Sequence, residues 1–117
     1  MATTDFIQHR SELRDGYRRL AAAIPETLQG FEGLHRAAVA DGALPRATKE
    51  LMALAVGIAA RCDGCITLHA HAALRAGATP EEAREAIGVA VLMGGGPASV
   101  YAIEALDAID QFAAALA

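Results

Sequence analysis

Apolar residues recur along this chain at helical spacing, and almost nowhere do they alternate as a strand requires. Breakers divide the chain into segments of helical periodicity. The first covers Ser11 to Ala22. Pro25 suits the first turn of a second, which runs to about Ala40 and stops at Asp41-Gly42. Pro45 opens a third, from about Arg46 to Arg61. Cys62-Asp63-Gly64-Cys65 opens a fourth, which ends at Gly77. Thr79-Pro80-Glu81-Glu82 is the clearest start: Thr79 caps, Pro80 takes the first helical position, and Glu82 completes a capping box. That fifth helix runs to about Met93. After Gly94-Gly95-Gly96, Pro97 opens a sixth, with Val100, Ile103, Leu106, Ile109, Phe112 and Leu116 on one stripe. The glycine triplet lacks the preceding strand and the Lys-Ser/Thr of a phosphate loop, so it reads as a tight helix–helix corner. No linker, repeat or low-complexity tract stands out. The pattern predicts one all-α domain over residues 1–117, a bundle of about six helices.

Composition adds an expectation about assembly. Hydrophobic residues make up 54% of the 117 residues, and mean hydropathy is +0.29. That exceeds the roughly 45–50% apolar share of an average domain. So small a domain cannot hide that much apolar surface alone, so the chain should oligomerise through apolar helix faces. A membrane span is not expected. The charge-free run Ala86 to Ile103 is broken by glycines and Pro97, and Leu51 to Ala60 is far short of the ~20 residues a span needs. The N-terminal residues Met1-Ala2-Thr3-Thr4-Asp5-Phe6 show no basic stretch leading into an apolar core. A soluble, cytoplasmic protein is the expectation. Net charge is −4, the basic residues are dispersed and tryptophan is absent, which argues against nucleic acid as a partner.

Candidate chemistry concentrates where the third segment meets the fourth. The two cysteines, Cys62 and Cys65, are three residues apart. In a cytosolic chain a lone close pair reads as redox or metal chemistry rather than as a structural staple. A thiol reacts as its anion, and a helix N-terminus lowers its pKa from about 8.5. The spacing puts both sulfurs on one face, close enough for a disulfide. His69 lies one turn beyond Cys65 and can accept its proton. Arg61 adds positive charge beside Cys62, and Asp63 opposes it.

Glu50 interrupts an apolar stretch of the third segment and could orient His69. Its reach is awkward. It precedes Cys62 by about 18 Å of straight helix, whereas His69 follows by about 10 Å. The two helices must cross at an angle, the turn must start early, or the carboxylate must come from a neighbouring subunit. The competing assignment puts Glu50 on an exposed face with Arg46 or Lys49. Tyr101 is assigned to the core, and His35 and His71 to the surface. Two other functional classes stay open. Cys62, Cys65, His69 and Glu50 could be zinc ligands, or the chain could be a non-catalytic helical oligomer.

The pattern Glu50-x11-Cys62-x2-Cys65-x3-His69 resembles the core motif of AhpD-like alkylhydroperoxidases, within the carboxymuconolactone decarboxylase superfamily. The flanks agree: Lys49-Glu50-Leu51, Cys65-Ile66-Thr67-Leu68-His69, Gly77-Ala78-Thr79-Pro80-Glu81-Glu82 and Met93-Gly94-Gly95-Gly96-Pro97. The likeness covers roughly residues 44–105. It implies a helical fold assembling as trimers or hexamers and an antioxidant thiol peroxidase (a peroxiredoxin activity). Cys65 would attack a peroxide, His69 and Glu50 would relay its proton, and Cys62 would resolve the sulfenic acid as a disulfide. A lipoylated or thioredoxin-like dithiol would then reduce that bond, with no cofactor beyond the disulfide itself. General thiol–disulfide exchange uses the same groups. The chain departs from better-known members in being a short single repeat and in carrying Gly64 where some have a histidine. The superfamily's decarboxylases lack the dithiol, which disfavours lactone decarboxylation.

Overall fold

The first helix begins five residues before the expected Ser11. In the computed structural model, which describes residues 4–117, Asp5 caps α1 (Phe6–Ala23) by accepting the Gln8 N–H at 3.0 Å. A distant partner stabilises this early start. Phe6 is buried, its N–H donates to Gln111 Oε1, and Gln111 Nε2 donates to the Thr4 carbonyl, both at 2.8 Å. Nothing near Asp5 in the sequence announces that clamp.

Pro25 opens α2 (Pro25–Val39) as expected. In the following loop, Asp41 Oδ1 accepts the Arg46 N–H and Lys49 Nζ donates to the Ala40 carbonyl, both at 2.7 Å. These contacts fasten the start of α3 (Arg46–Ala59) and commit Lys49 to the loop. The end of α3 is a Schellman turn. Arg61 N–H donates to the Ile58 carbonyl and Cys62 N–H to the Gly57 carbonyl, with Arg61 left-handed at φ 59°. That conformation costs a non-glycine residue about 1–2 kcal/mol, and it turns the chain straight into α4 (Asp63–Arg75).

The fifth and sixth expected helices follow one another as a single run, α5 (Pro80–Leu116), giving five elements rather than six, but the run is kinked within the expected glycine triplet. Thr79 and Glu82 form the expected capping box. The break falls at a single residue, Gly95 (φ 72°, ψ −156°), a backbone conformation open to glycine. Pro97 follows in the first turn of the second half, where its missing N–H costs nothing.

α3, α4 and α5 form the core around Leu54, Ile58, Ile66, Ile109 and Phe112. The inner side of α5 is lined mostly by alanines, including Ala98, Ala102 and Ala105, so the helices approach closely. The expected stripe on its second half is therefore divided. Ile109 and Phe112 are buried, while Val100 and Ile103 face outward, more than half exposed. Val56, Val89, Leu92 and Met93 extend the same apolar exposure across α3 and α5. By length and composition alone α5 would suffice to cross a membrane, but Gly95 divides it into two shorter halves.

Gly57 sets the approach of α3 to α4. A Cβ there would stand 2.9 Å from the Cys65 Cβ. Gly57→Ala is expected to destabilise the fold by about 1–3 kcal/mol through overpacking. Thermal unfolding should show a Tm lower by several degrees, and an unchanged Tm would mean the helices have room to spare.

Candidate active site

α4 begins on the first cysteine. Cys62 is its N-cap, and its Sγ accepts the Cys65 N–H at 3.2 Å. The sulfur thus occupies the position where unsatisfied N–H groups favour negative charge. Cys62 and Cys65 are joined as a disulfide, with Cα atoms 5.2 Å apart. The redox group expected from the spacing is therefore formed within the chain. Thr67, fully buried, steadies this first turn by donating its hydroxyl to the Asp63 carbonyl at 2.9 Å. His9 Nδ1 meets the same hydroxyl at 2.9 Å. Since that hydroxyl has one proton, His9 is the donor there, and α1 is tied to α4.

Glu50 reaches His69 within one chain. Its side chain is fully buried, with Oε1 3.3 Å from His69 Nδ1. The placement removes both the exposed-face assignment and the need for a neighbouring subunit. The close approach permitted by Gly57 brings the two helices near enough for the reach. The contact lacks hydrogen-bond alignment, so both Glu50 oxygens and His69 Nδ1 have no hydrogen-bond partner among the described residues. Burial raises the Glu50 carboxyl. Its contact with His69, followed by the charges of His35 and Arg46, outweighs this and leaves it below the ordinary Glu value.

The sequence reading missed His35. Assigned to the surface, it is half-exposed but turns Nε2 to 3.7 Å from Glu50 Oε1, and its ring meets that of His69 edge-on, centroids 6.0 Å apart. A signal was present: Leu28, Phe31 and His35 share one face of α2 by their spacing. His71 is also not free on the surface. It is partly buried against Phe112, centroids 5.1 Å apart. Burial, then the charges of Arg10, Arg75 and Arg14, pushes its pKa down. Tyr101 packs against the core as expected.

His35, Glu50 and His69 hold their ligand atoms within 4.8 Å of one another, so this trio could take a divalent cation. The set of four zinc ligands weighed from sequence is altered here, because Cys62 and Cys65 are spent on each other. A cavity of about 460 Å³ joins these groups, with both cysteines, Glu50, His35 and His69 on its wall.

Across α4, Asp63 lies near Glu104 on α5. Burial, then the neighbouring carboxylates of Asp63 and Asp107, raises Glu104 to about 7. An acid held protonated in the fold costs stability once it must ionise. Stability should therefore fall as pH rises from about 4.5 through 7. Glu104→Gln is expected to remove that slope in denaturant titrations across this range, and an unchanged slope would assign it to other groups.

Among the described residues the chain is all-helical, with a cysteine pair at a helix N-terminus beside a histidine that faces a buried carboxylate. Residues 25–108 match the carboxymuconolactone decarboxylase family, and the chain belongs to that family. A solved apo structure of a family protein from Legionella pneumophila superposes with a TM-score of 0.87 at 41% identity, covering 92% of this chain and 96% of that one. A Thermotoga maritima family protein, for which a role in antioxidative response has been suggested, gives 0.77 at 28% identity, with 95% and 92% covered. An uncharacterised protein of Cupriavidus necator is 39% identical over 92% of this chain and 96% of its own length. Another, encoded in the cox locus of Paracoccus denitrificans, is 39% identical over 80% and 90%.

Proposed function

We propose that this protein is a thiol peroxidase that reduces hydroperoxides at the Cys62–Cys65 pair. The observation that carries the reading is the meeting, in one cavity, of the dithiol with a histidine backed by a fully buried carboxylate. In the reduced state His69 takes the Cys65 proton, and Glu50 stabilises the charged ring. The Cys65 sulfur attacks the terminal peroxide oxygen. An S–O bond forms, the O–O bond breaks, and the departing alkoxide takes the proton from His69 to leave as an alcohol. Cys62 then attacks the Cys65 sulfenic acid. The S–S bond forms, and the hydroxyl leaves as water with the Cys62 proton. An external dithiol, lipoylated or thioredoxin-like, supplies two electrons and two protons to restore both thiols. The antioxidant role suggested for the Thermotoga relative agrees with this chemistry.

One observation favours a second reading. Cys62 Sγ caps α4, so Cys62 is a good leaving thiolate for general thiol–disulfide exchange. The test is oxidation of a lipoyl or thioredoxin-type donor by the protein with an organic hydroperoxide. Catalytic, peroxide-dependent oxidation supports the peroxidase. Rapid exchange with disulfides and no peroxide turnover would transfer the site to the second reading.

The exposed apolar face of α3 and α5 is assigned to copies of this chain, as a homotrimer or homohexamer in the cytoplasm. Light scattering should give a multiple of the 12.1 kDa subunit mass. A monomer at micromolar concentration would leave that face without its proposed cover.

A further inference from the structure

The wall of the cavity opposite the dithiol comes from α1 and α2. Arg10, Leu13, Arg14 and Tyr17 line it from α1 at positions i, i+3, i+4 and i+7. Leu28, Phe31, Glu32 and His35 repeat that spacing from α2. Each helix thus turns one stripe inward, and the combined surface is largely apolar with a cationic edge. Tyr17 and Phe31 are 41% and 53% exposed, large aromatic side chains left open at a cavity wall.

The cationic edge is uncompensated. Among the described residues, Arg10 and Arg14 on that edge, and Arg75 near it, have no carboxylate within ion-pair distance, whereas Arg18 and Arg84 do. Burial, then Arg14 and Arg75, lowers the pKa of Arg10, and the same three arginines bear on His71. Like charges held together beside an apolar cavity raise the energy of the empty site, and an anion placed among them offsets that cost. A guanidinium fork fits a carboxylate particularly well. Glu32 is the acid on that wall, and it stands on the opposite helix.

We propose that the cavity takes an amphipathic carboxylic acid, its apolar body against Leu13, Tyr17, Leu28 and Phe31 and its carboxylate on Arg10 and Arg14. Resting on the peroxidase reading, this makes the preferred substrate a hydroperoxide of a long-chain carboxylic acid. The cavity volume is within the range of sites that enclose much of such a ligand. Bound this way, the hydroperoxy group enters between the two helices toward Cys65, and the reaction proceeds with the atoms and electrons described above.

Two measurements test it separately from the chemistry. In the first, turnover is compared between a fatty-acid hydroperoxide and its methyl ester, which differ only in the anionic head. The acid is expected to be favoured about tenfold or more in kcat/KM through KM. The preference should shrink towards unity in an Arg10→Gln/Arg14→Gln variant. In the second, decanoate and decanol are titrated into the oxidised, unreactive wild-type protein. Decanoate should bind more tightly, and the double variant should lose that difference. Peroxide turnover without acid preference, or decanoate binding indifferent to the arginines, overturns the proposal. Arginine-dependent decanoate binding without any peroxide turnover upholds the anion site and overturns the peroxidase reading instead.

Discussion

Cys65→Ser is expected to abolish peroxide consumption down to the background of the free dithiol donor. In the proposed mechanism the Cys65 anion makes the attack; a serine hydroxyl cannot supply that anion, and Cys62 is the other cysteine of the chain. Cys62→Ser should behave differently. Cys65 would still react once, but the sulfenic acid would have no partner within the chain. One equivalent of peroxide would disappear, and a dimedone-type trap would label Cys65. Both variants should fold, because a serine oxygen can replace the capping sulfur at position 62 and serine suits the partly exposed environment at 65. A Cys62→Ser enzyme turning over at the wild-type rate would remove its resolving role. Labelling at residue 62 in Cys65→Ser, with continued turnover, would exchange the two roles.

Glu50→Gln carries the second largest expected effect. On the proposed mechanism the buried carboxylate, 3.3 Å from His69 Nδ1, stabilises the ring once it has taken the Cys65 proton. Neutralising Glu50 should make the Cys65 thiolate harder to form and slow peroxide reduction at neutral pH about 10- to 100-fold. Thiol titration by alkylation rate would measure the first effect. Stability should respond too. Glu50 is held below its ordinary pKa, so its contribution is present above about 4.5 and is lost as pH falls through the folded value. The Gln variant should lack that acid-side loss. An unchanged Cys65 pKa would confine Glu50 to holding α3 against α4.

Much of this arrangement was legible in the residues, for identifiable reasons. Thr79 and Glu82 announced the start of α5 because a capping box is local chemistry, complete within four residues. The dithiol and His69 were legible for the same reason: one helical turn relates them. The start of α1 was missed although Asp5, three residues before Gln8, offered a local cap; the Gln111 clamp that reinforces it comes from across the chain. The corner between the last two helices was legible from its glycines and Pro97, but it is confined to the single non-helical residue Gly95, so the two halves follow one another as one kinked run. The stripe on the second half of α5 misled because alanines occupy the inner face, and the larger apolar side chains were free to point outward.

Glu50 stood between these extremes. Its polarity in an apolar stretch marked it, but counting residues along straight helices set its carboxylate too far from His69. The approach of α3 to α4 at Gly57 closes that distance, and no count along one helix contains the crossing of two. His35 was missed because its importance comes from a third helix laid beside Glu50. The arginines of α1 read as dispersed charge in sequence, and they became a cluster only when α1 packed over the start of α4.

The central claim, that Cys62 and Cys65 form a peroxide-reactive dithiol, is tested most directly by intact-mass and peptide mass spectrometry of the reduced protein after one equivalent of organic hydroperoxide. The account predicts loss of two hydrogens, a single Cys62–Cys65 disulfide, and full recovery of both thiols on adding a lipoyl or thioredoxin-type dithiol. A dithiol left reduced while peroxide persists, or stoichiometric zinc holding the thiols in protein purified without chelator, would contradict it.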